Sequence, residues 1–283
     1  MQKIILLSFA DKRYKKSLER LKRQTEAFPF DERHFLTQEN LPKSFRKTLK
    51  TWKYRRGYGY WRWKFYIVRN LLNEMASNDV LFYSDAGNYW NEKGISRFNE
   101  YVNMLNEASD EGCILVFEEP FLEKDWTKGD IFRSFNLYNS EEVQMSLQIW
   151  SGAFAIRKTQ FTMQIIKEID DLYQNNMNLW TDRVSIINNF YGFQENRHDQ
   201  SCFSLFIKLR PHITIGWQET NTLDLQDWSE LEAFPIQGRR LKEKDWSVGR
   251  RIKHFLSMPY RIAMCQYLIH FEHFHFSMRI PRY

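Results

Sequence analysis

The chain has 283 residues, of which 43% are hydrophobic and 17% aromatic, and its formal net charge is +6. This much apolar surface excludes a disordered chain, because its burial can offset the entropy lost on ordering. The length suits one α/β domain with an appendage. The positive charge favours anionic partners such as nucleotide phosphates, nucleic acid or a lipid surface.

The first half of the chain alternates strand and helix patterns. An apolar run at 3–9 predicts a buried strand, and helical spacing follows over 14–21. The next predicted elements are a strand at 32–36, a helix at 61–75, a strand at 80–83, a helix at 95–105 and a strand at 113–117. This alternation predicts an α/β fold with a mostly parallel open sheet of Rossmann type, flanked by helices, whose ligands bind beyond the carboxyl ends of the strands.

The second half is less regular. A strand is predicted at 151–156, and helices at 161–172 and 202–209. The charge-rich stretch 118–130 predicts a loop, and its part 124–130 could close over donor or acceptor, with a solvated surface loop as the alternative. From residue 238 basic and aromatic residues interleave, so we expect a domain at 1–237 and a helical extension at 238–283 that contacts an anionic membrane surface.

The cysteine and hydrophobicity patterns predict the compartment. Cys113, Cys202 and Cys265 are too few and too scattered for disulfides or a zinc site, which favours a reducing environment. No stretch approaches the roughly 18 to 20 apolar residues of a membrane span. We therefore expect a cytoplasmic protein, soluble or peripheral on the inner face of the membrane.

Asp85 is the leading candidate for chemistry. It follows a predicted strand within Ser84-Asp85-Ala86-Gly87, where small residues permit a sharp turn. A carboxylate in that position suits a hard divalent ion such as Mg²⁺ or Mn²⁺. The alternative is that Asp85 only caps a turn before Asn88.

A second candidate group lies at the start of the predicted helix at 61–75 and just before it. Trp63 and Lys64 point away from the apolar stripe of that helix. Facing a cleft, Lys64 could pair with a phosphate, and Trp63 or Tyr60 could stack on a base or sugar. The alternative is that the segment is the packed start of a helix.

Three segments together resemble one family of proteins. They are Gly57-Tyr58-Gly59-Tyr60-Trp61-Arg62-Trp63-Lys64, Asp85-Ala86-Gly87 and Arg197-His198-Asp199-Gln200-Ser201. In this order, over roughly residues 1–210, they resemble bacterial surface-polysaccharide glycosyltransferase-like proteins with a GT-A, nucleotide-diphospho-sugar transferase fold. The resemblance implies transfer of a sugar from a nucleoside diphosphate sugar to a glycan or lipid-linked acceptor, as in capsule, lipopolysaccharide or lipooligosaccharide synthesis.

The resemblance also implies residue roles. Asp85 matches the Asp-x-Asp motif, so it is expected to hold a divalent metal and the diphosphate or donor ribose. The expected donor-binding residues are Ser8, Tyr60, Trp63, Lys64, Ser84, Asp85, Ala86 and Gly87. The expected substrate-binding residues are Trp150, Ser151, Gly152, His198, Asp199 and Gln200.

The chain departs from the family pattern at Gly87, which replaces the second acid, so Asn88 or a distant residue would have to supply another metal ligand. Lys64, Arg62 or Arg239-Arg240 could neutralise the diphosphate instead. Asp199 is expected to act as a catalytic carboxylate, with an N-cap role as the alternative.

Two other functions stay open. One is non-enzymatic binding to nucleic acid or an anionic surface, and the other is an inactive transferase-like fold. The 35 acidic residues among 41 basic ones, without a nucleic-acid-binding motif, speak against nucleic acid.

Overall fold

The structure of the chain is a computed structural model, and residues 2–222 and 227–239 are described. The strands are β1 Ile4–Ala10, β2 Glu32–Thr37, β3 Val80–Ser84, β4 Tyr89–Trp90, β5 Ile114–Leu122, β6 Leu147–Arg157, β7 Ile213–Ile215 and β8 Ile236–Gln237. Six of them form one sheet in the order β2-β1-β3-β6-β5-β7, and β4 pairs with β8. Within the large sheet β6 alone runs antiparallel to its neighbours. The predicted mostly parallel open sheet is therefore confirmed.

Helices flank both faces of this sheet. They are α1 Lys15–Gln24, α2 Lys43–Thr48, α3 Gly57–Tyr60, α4 Trp63–Glu74, α5 Ile95–Glu107, α6 Glu123–Trp126, α7 Gly129–Ser134, α8 Glu141–Gln144, α9 Gln160–Asn175, α10 Met177–Trp180 and α11 Asp199–Lys208. One core joins the sheet to α4, α9 and α11 through residues such as Phe65, Ile169 and Phe203. The other joins it to α1 and α5 through Leu21 and Phe98. The five long helices α1, α4, α5, α9 and α11 thus bury apolar residues against the sheet.

The chain order changes direction at β1. From β1 the chain passes to β2 on one side and later to β3 on the other, and both pair parallel with β1. In open α/β sheets such a switch point leaves a crevice at the carboxyl ends of the strands, where ligands bind. The expected ligand site therefore lies at the carboxyl ends of β1 and β3.

The prediction of a loop at 118–130 is wrong. β5 continues to Leu122, and α6 and α7 follow. Lys128 is buried there, and its ammonium donates to the backbone carbonyls of Asn178, Thr181 and Arg183. Charged side chains suggested solvent, whereas several of them are partnered inside the fold.

The predicted C-terminal extension lies outside the described residues from residue 240 onward. Its expected contact with a membrane stays a prediction. Across the part of the chain that the structure describes, none of the helices is long and apolar enough to cross a membrane.

Candidate active site

Asp85 lies at the carboxyl end of β3, where β3 meets β6. Its backbone N–H donates to Gly152 O at 2.8 Å, and its side chain is 36% exposed. Oδ1 accepts a hydrogen bond from the Tyr83 hydroxyl at 2.6 Å, whereas Oδ2 has no hydrogen-bond partner among the described residues. One carboxylate oxygen is thus fixed inward, and the other can meet a ligand.

Two side chains, one from α1 and one from the turn itself, hold the turn that follows Asp85. Arg20 of α1 donates from Nη2 to the next three backbone carbonyls at 3.1–3.2 Å. The Asn88 amide is buried and donates to Ser84 Oγ at 3.1 Å and to Gly152 O at 2.8 Å. The turn is therefore fixed before any ligand arrives.

A buried charge cluster lies behind Asp85. Lys64 of α4 is 1% exposed, and its Nζ lies 2.6 Å from Asp199 Oδ2 and 3.5 Å from Asp85 Oδ1. The ammonium also donates to Ser151 O at 2.9 Å, and the Ser151 hydroxyl donates to Asp199 Oδ2 at 3.0 Å. The fold thus brings together four of the predicted site residues, which are 135 positions apart at most.

The electrostatics of this cluster favour the charged form of Lys64 but not that of Asp85. Burial alone would lower the pKa of the Lys64 ammonium, but the carboxylates of Asp199 and Asp85 outweigh it, so that the pKa is raised. Burial raises the pKa of Asp85 by more than the neighbouring ammonium lowers it. Burial and the Asp85 carboxylate raise the pKa of Tyr83 well above its ordinary range, so its hydroxyl remains a donor.

Asp182 is the centre of a second cluster. The Tyr60 hydroxyl donates to its Oδ2 at 2.5 Å, His198 Nε2 lies 2.8 Å from its Oδ1, and Arg56 Nη1 donates to Oδ1 at 3.1 Å. Burial lowers the pKa of His198 despite the adjacent carboxylate. Because His198 immediately precedes Asp199, the two clusters are joined through the backbone.

A left-handed turn presents the aromatic side of this second cluster. Residues 57–61 have φ values between +51° and +94°, although each non-glycine residue in this region costs roughly 1–2 kcal/mol. A Cβ on Gly59 would lie 2.9 Å from the Cβ of Leu49. The turn places the rings of Tyr60 and Trp61 5.5 and 5.4 Å from the His198 ring.

The expectation that Trp63 faces a cleft is wrong. Trp63 is buried, its ring stacks on Phe9 at 4.0 Å, and its Nε1 donates to Gly57 O. Its polar N–H is thereby satisfied within the core. Lys64, the next residue, is also buried, and its ammonium pairs with Asp199 inside the protein instead of facing an open cleft.

The other expected residues have mixed positions. Trp150 is buried in the core shared with α1 and α5, and a Cβ on Gly152 would lie 2.4 Å from its Nε1, so position 152 needs glycine. The buried Gln200 amide donates to Gln148 Oε1 at 2.8 Å. Ser8 Oγ is buried without a partner among the described residues.

The alternatives for Asp85 and Asp199 are also decided by their contacts. Asp85 bonds to Tyr83 and faces Lys64, so it does more than cap a turn. Asp199 is the first residue of α11, but its Oδ2 is taken by Lys64 and Ser151. Neither side chain serves mainly as a local cap.

The residues around Asp85 do not fit a divalent metal. Gly87 offers no carboxylate, the amide of Asn88 is turned inward, and the carbonyls after Asp85 are engaged by Arg20. The nearest charged group is the Lys64 ammonium. Within residues 2–222 and 227–239 there is no group of three or more His, Cys, Asp or Glu side chains that could hold a metal ion.

Two of the alternative cations are engaged elsewhere. Arg62 is buried and donates to Thr48 O and Gln174 Oε1. Arg239 lies over the ring of Tyr89 at 4.5 Å, and Arg240 lies outside the described residues.

No protein-family model and no curated protein matches the sequence. Solved glycosyltransferase structures resemble the chain at low sequence identity. A glycosyltransferase involved in glycosylation of the major capsid of PBCV-1 is 12% identical, with 89% of this chain and 98% of that chain covered and a TM-score of 0.46. The galactosyltransferase LgtC, in complex with donor and acceptor sugar analogs, is 10% identical over 93% and 95% of the two chains, with a TM-score of 0.48. GlyE of Streptococcus pneumoniae TIGR4 is 12% identical over 99% and 65%, with a TM-score of 0.45.

Several site residues were missed from the sequence. Tyr83 has the pattern of an ordinary strand residue, and Asp182 and Arg56 lie in irregular segments 126 positions apart. Only the spacing of two glycines before Tyr60 and Trp61 signalled an unusual turn. The contacts of the other residues depend on tertiary structure.

Proposed function

We propose that this chain is a glycosyltransferase that moves a sugar from a nucleoside diphosphate sugar to a hydroxyl group of a glycan or lipid-linked acceptor. The observation that supports this function best is the half-satisfied carboxylate of Asp85 beside the switch point between β1 and β3. Open α/β sheets bind nucleotides at such edges. Surface polysaccharides are the class of acceptor that the sequence resemblance favours.

Each polar residue has a proposed role. Asp85 accepts hydrogen bonds from donor hydroxyls through Oδ2, while Tyr83 and Lys64 hold Oδ1. Preorganised contacts of this kind lower the barrier because they need no rearrangement during the reaction. Asp199 positions Lys64, and direct catalysis by Asp199 stays a prediction that would require the ion pair to open.

The second cluster is proposed to bind the acceptor. The Asp182 side chain is 53% exposed. Burial would raise its pKa, but hydrogen bonds from Tyr60 and His198 lower it, so the carboxylate is ionised at neutral pH. An ionised carboxylate beside aromatic rings suits the hydroxyls and apolar faces of a sugar.

The experiment is a binding and turnover assay with a panel of nucleoside diphosphate sugars, with and without Mn²⁺ or Mg²⁺. We expect a donor to raise the thermal midpoint, and Asp85→Asn to reduce turnover by about 100-fold or more. Asp110→Asn is the matched control. Asp110 pairs with Arg157 and precedes β5, so it lies at the end of the sheet opposite to the carboxyl ends of β1 and β3.

Asp85→Asn should not weaken the fold. Because burial raises the pKa of Asp85 above 3.8, its charge opposes folding at neutral pH. If no nucleotide or nucleotide sugar binds, the proposed function is wrong. Binding without transfer or hydrolysis under any metal condition would indicate an inactive transferase-like protein.

A further inference from the structure

A strongly basic surface lies immediately before the left-handed turn. Seven of the fourteen residues at 43–56 are Lys or Arg, and none is Asp or Glu. We call this stretch the basic segment. Its cations are Lys43, Arg46, Lys47, Lys50, Lys53, Arg55 and Arg56. Among the described residues, only Arg56 of these seven has an ion pair.

The basic segment is anchored to the body of the protein on its inner side. The Phe45 ring stacks on Tyr66 at 3.7 Å, Leu49 is fully buried, and Thr48 O accepts a hydrogen bond from Arg62 at 2.8 Å. Its outer side carries exposed lysines and Trp52, whose side chain is 76% exposed. The basic segment therefore exposes both cations and a large apolar ring to solvent.

An exposed apolar loop adjoins the basic segment. Arg56 pairs with Asp182 at 3.1 Å and approaches Glu195 at 4.0 Å, so it contacts both ends of the loop 182–195. Val184 and Ile186 in this loop are 85% and 79% exposed, and Tyr191 is fully exposed. Large apolar side chains placed this openly have no packing role in the described fold.

We propose that the basic segment and the loop 182–195 form a docking surface for an anionic lipid bilayer. Lys and Arg meet anionic headgroups, while Trp and aliphatic side chains enter the interface. A soluble polyanion would use the cations but would leave Trp52, Val184 and Ile186 in water. The combination of charge and exposed apolar surface therefore favours the membrane.

This surface meets the candidate active site at Asp182, which Arg56 contacts. If this surface is combined with the proposed function, on which this step rests, the acceptor is one that a membrane presents, such as a lipid-linked glycan. Docking itself does not depend on that function, because it can be measured without a donor or an acceptor.

The experiment is co-sedimentation of the full chain with vesicles of phosphatidylcholine alone or mixed with phosphatidylglycerol. We expect binding to the anionic vesicles, weakened by salt. Lys47→Gln/Lys53→Gln should weaken it about 20- to 30-fold, since each cation near such a surface contributes about fivefold. Lys22→Gln/Arg23→Gln is the matched control, because this pair removes the same amount of charge in the last turn of α1, outside the basic segment and the loop 182–195.

The Trp52→Ala variant tests whether the surface binds a bilayer or a soluble polyanion. It should weaken vesicle binding several-fold and leave heparin binding unchanged. The proposal is overturned if the anionic vesicles are not bound, if both lysine and control pairs have the same effect, or if Trp52→Ala has none. Thermal shifts with nucleotide sugars on the same protein test the proposed function separately, and the Lys47 and Lys53 variant should retain them.

Discussion

Lys64→Met should destabilise the protein by about 3–5 kcal/mol. The ammonium is 1% exposed and lies 2.6 Å from Asp199 Oδ2, so its removal leaves a buried carboxylate without its cation. Breaking a buried ion pair in this way typically has that cost. Against a usual stability of about 5–15 kcal/mol, the loss is large but measurable.

The assay is urea denaturation of Lys64→Met, Asp199→Asn and the double variant. Removing both charges also removes the unpaired partner, so the double variant should lose at least about 2 kcal/mol less than the two single losses added together. The exposed pair Lys167 and Asp171 has a similar separation, 2.8 Å, and serves as the control. Its coupling should be only about 0.3–0.5 kcal/mol.

Additive losses at positions 64 and 199 would refute this reasoning. They would mean that each charge is solvated independently and that the ion pair does not hold α4 to α11. A coupling no larger than that of the exposed pair would have the same meaning.

Three further predictions follow from other features. Gly59→Ala should lower stability by more than about 1–2 kcal/mol, because φ is +94° and Leu49 is close. Gly192→Ala is the control, because its φ is the same but only the Asp125 side chain is nearby. In thermal denaturation Gly192→Ala should lower the midpoint less than Gly59→Ala does. Burial lowers the pKa of His198 below 6.5 in the folded protein, so the unfolded chain binds this proton first as the pH falls. The free energy of unfolding should therefore decline below about pH 6.5. Urea denaturation at a series of pH values should show that His198→Gln removes the part of this decline that His198 causes. Lys128→Met frees three backbone carbonyls and should speed hydrogen exchange at 178–183, whereas unchanged exchange would show that this lysine does not hold the segment.

Much of the fold was predictable because its main elements have a clear period. Helix α5 matches the expected position because apolar residues recur there at helical intervals, and strand β1 matches because a short continuous apolar run is typical of a buried strand. The antiparallel direction of β6 was not predictable, because strand periodicity is the same in both directions. The extension of β5 was hidden by Glu118 and Glu119, whose charges are typical of a loop.

The candidate site was predictable only in part. The position of Asp85 followed from strand and turn chemistry, which are local. Its contact with Lys64 depends on how α4 packs below the sheet. Trp63 was assigned the wrong side because α4 buries more than one apolar row, and Ile67 and Leu71, which follow Trp63 at intervals of four residues, are buried with it.

That same turn determines whether buried charges meet. Helix α4 begins two residues after residue 61, and Lys64 is its second residue. An α-helix rotates by about 100° per residue, so a turn that delivered the chain one residue early or late would aim the ammonium away from Asp199. Backbone handedness at the margin of the fold thus selects the partner of a side chain in its interior.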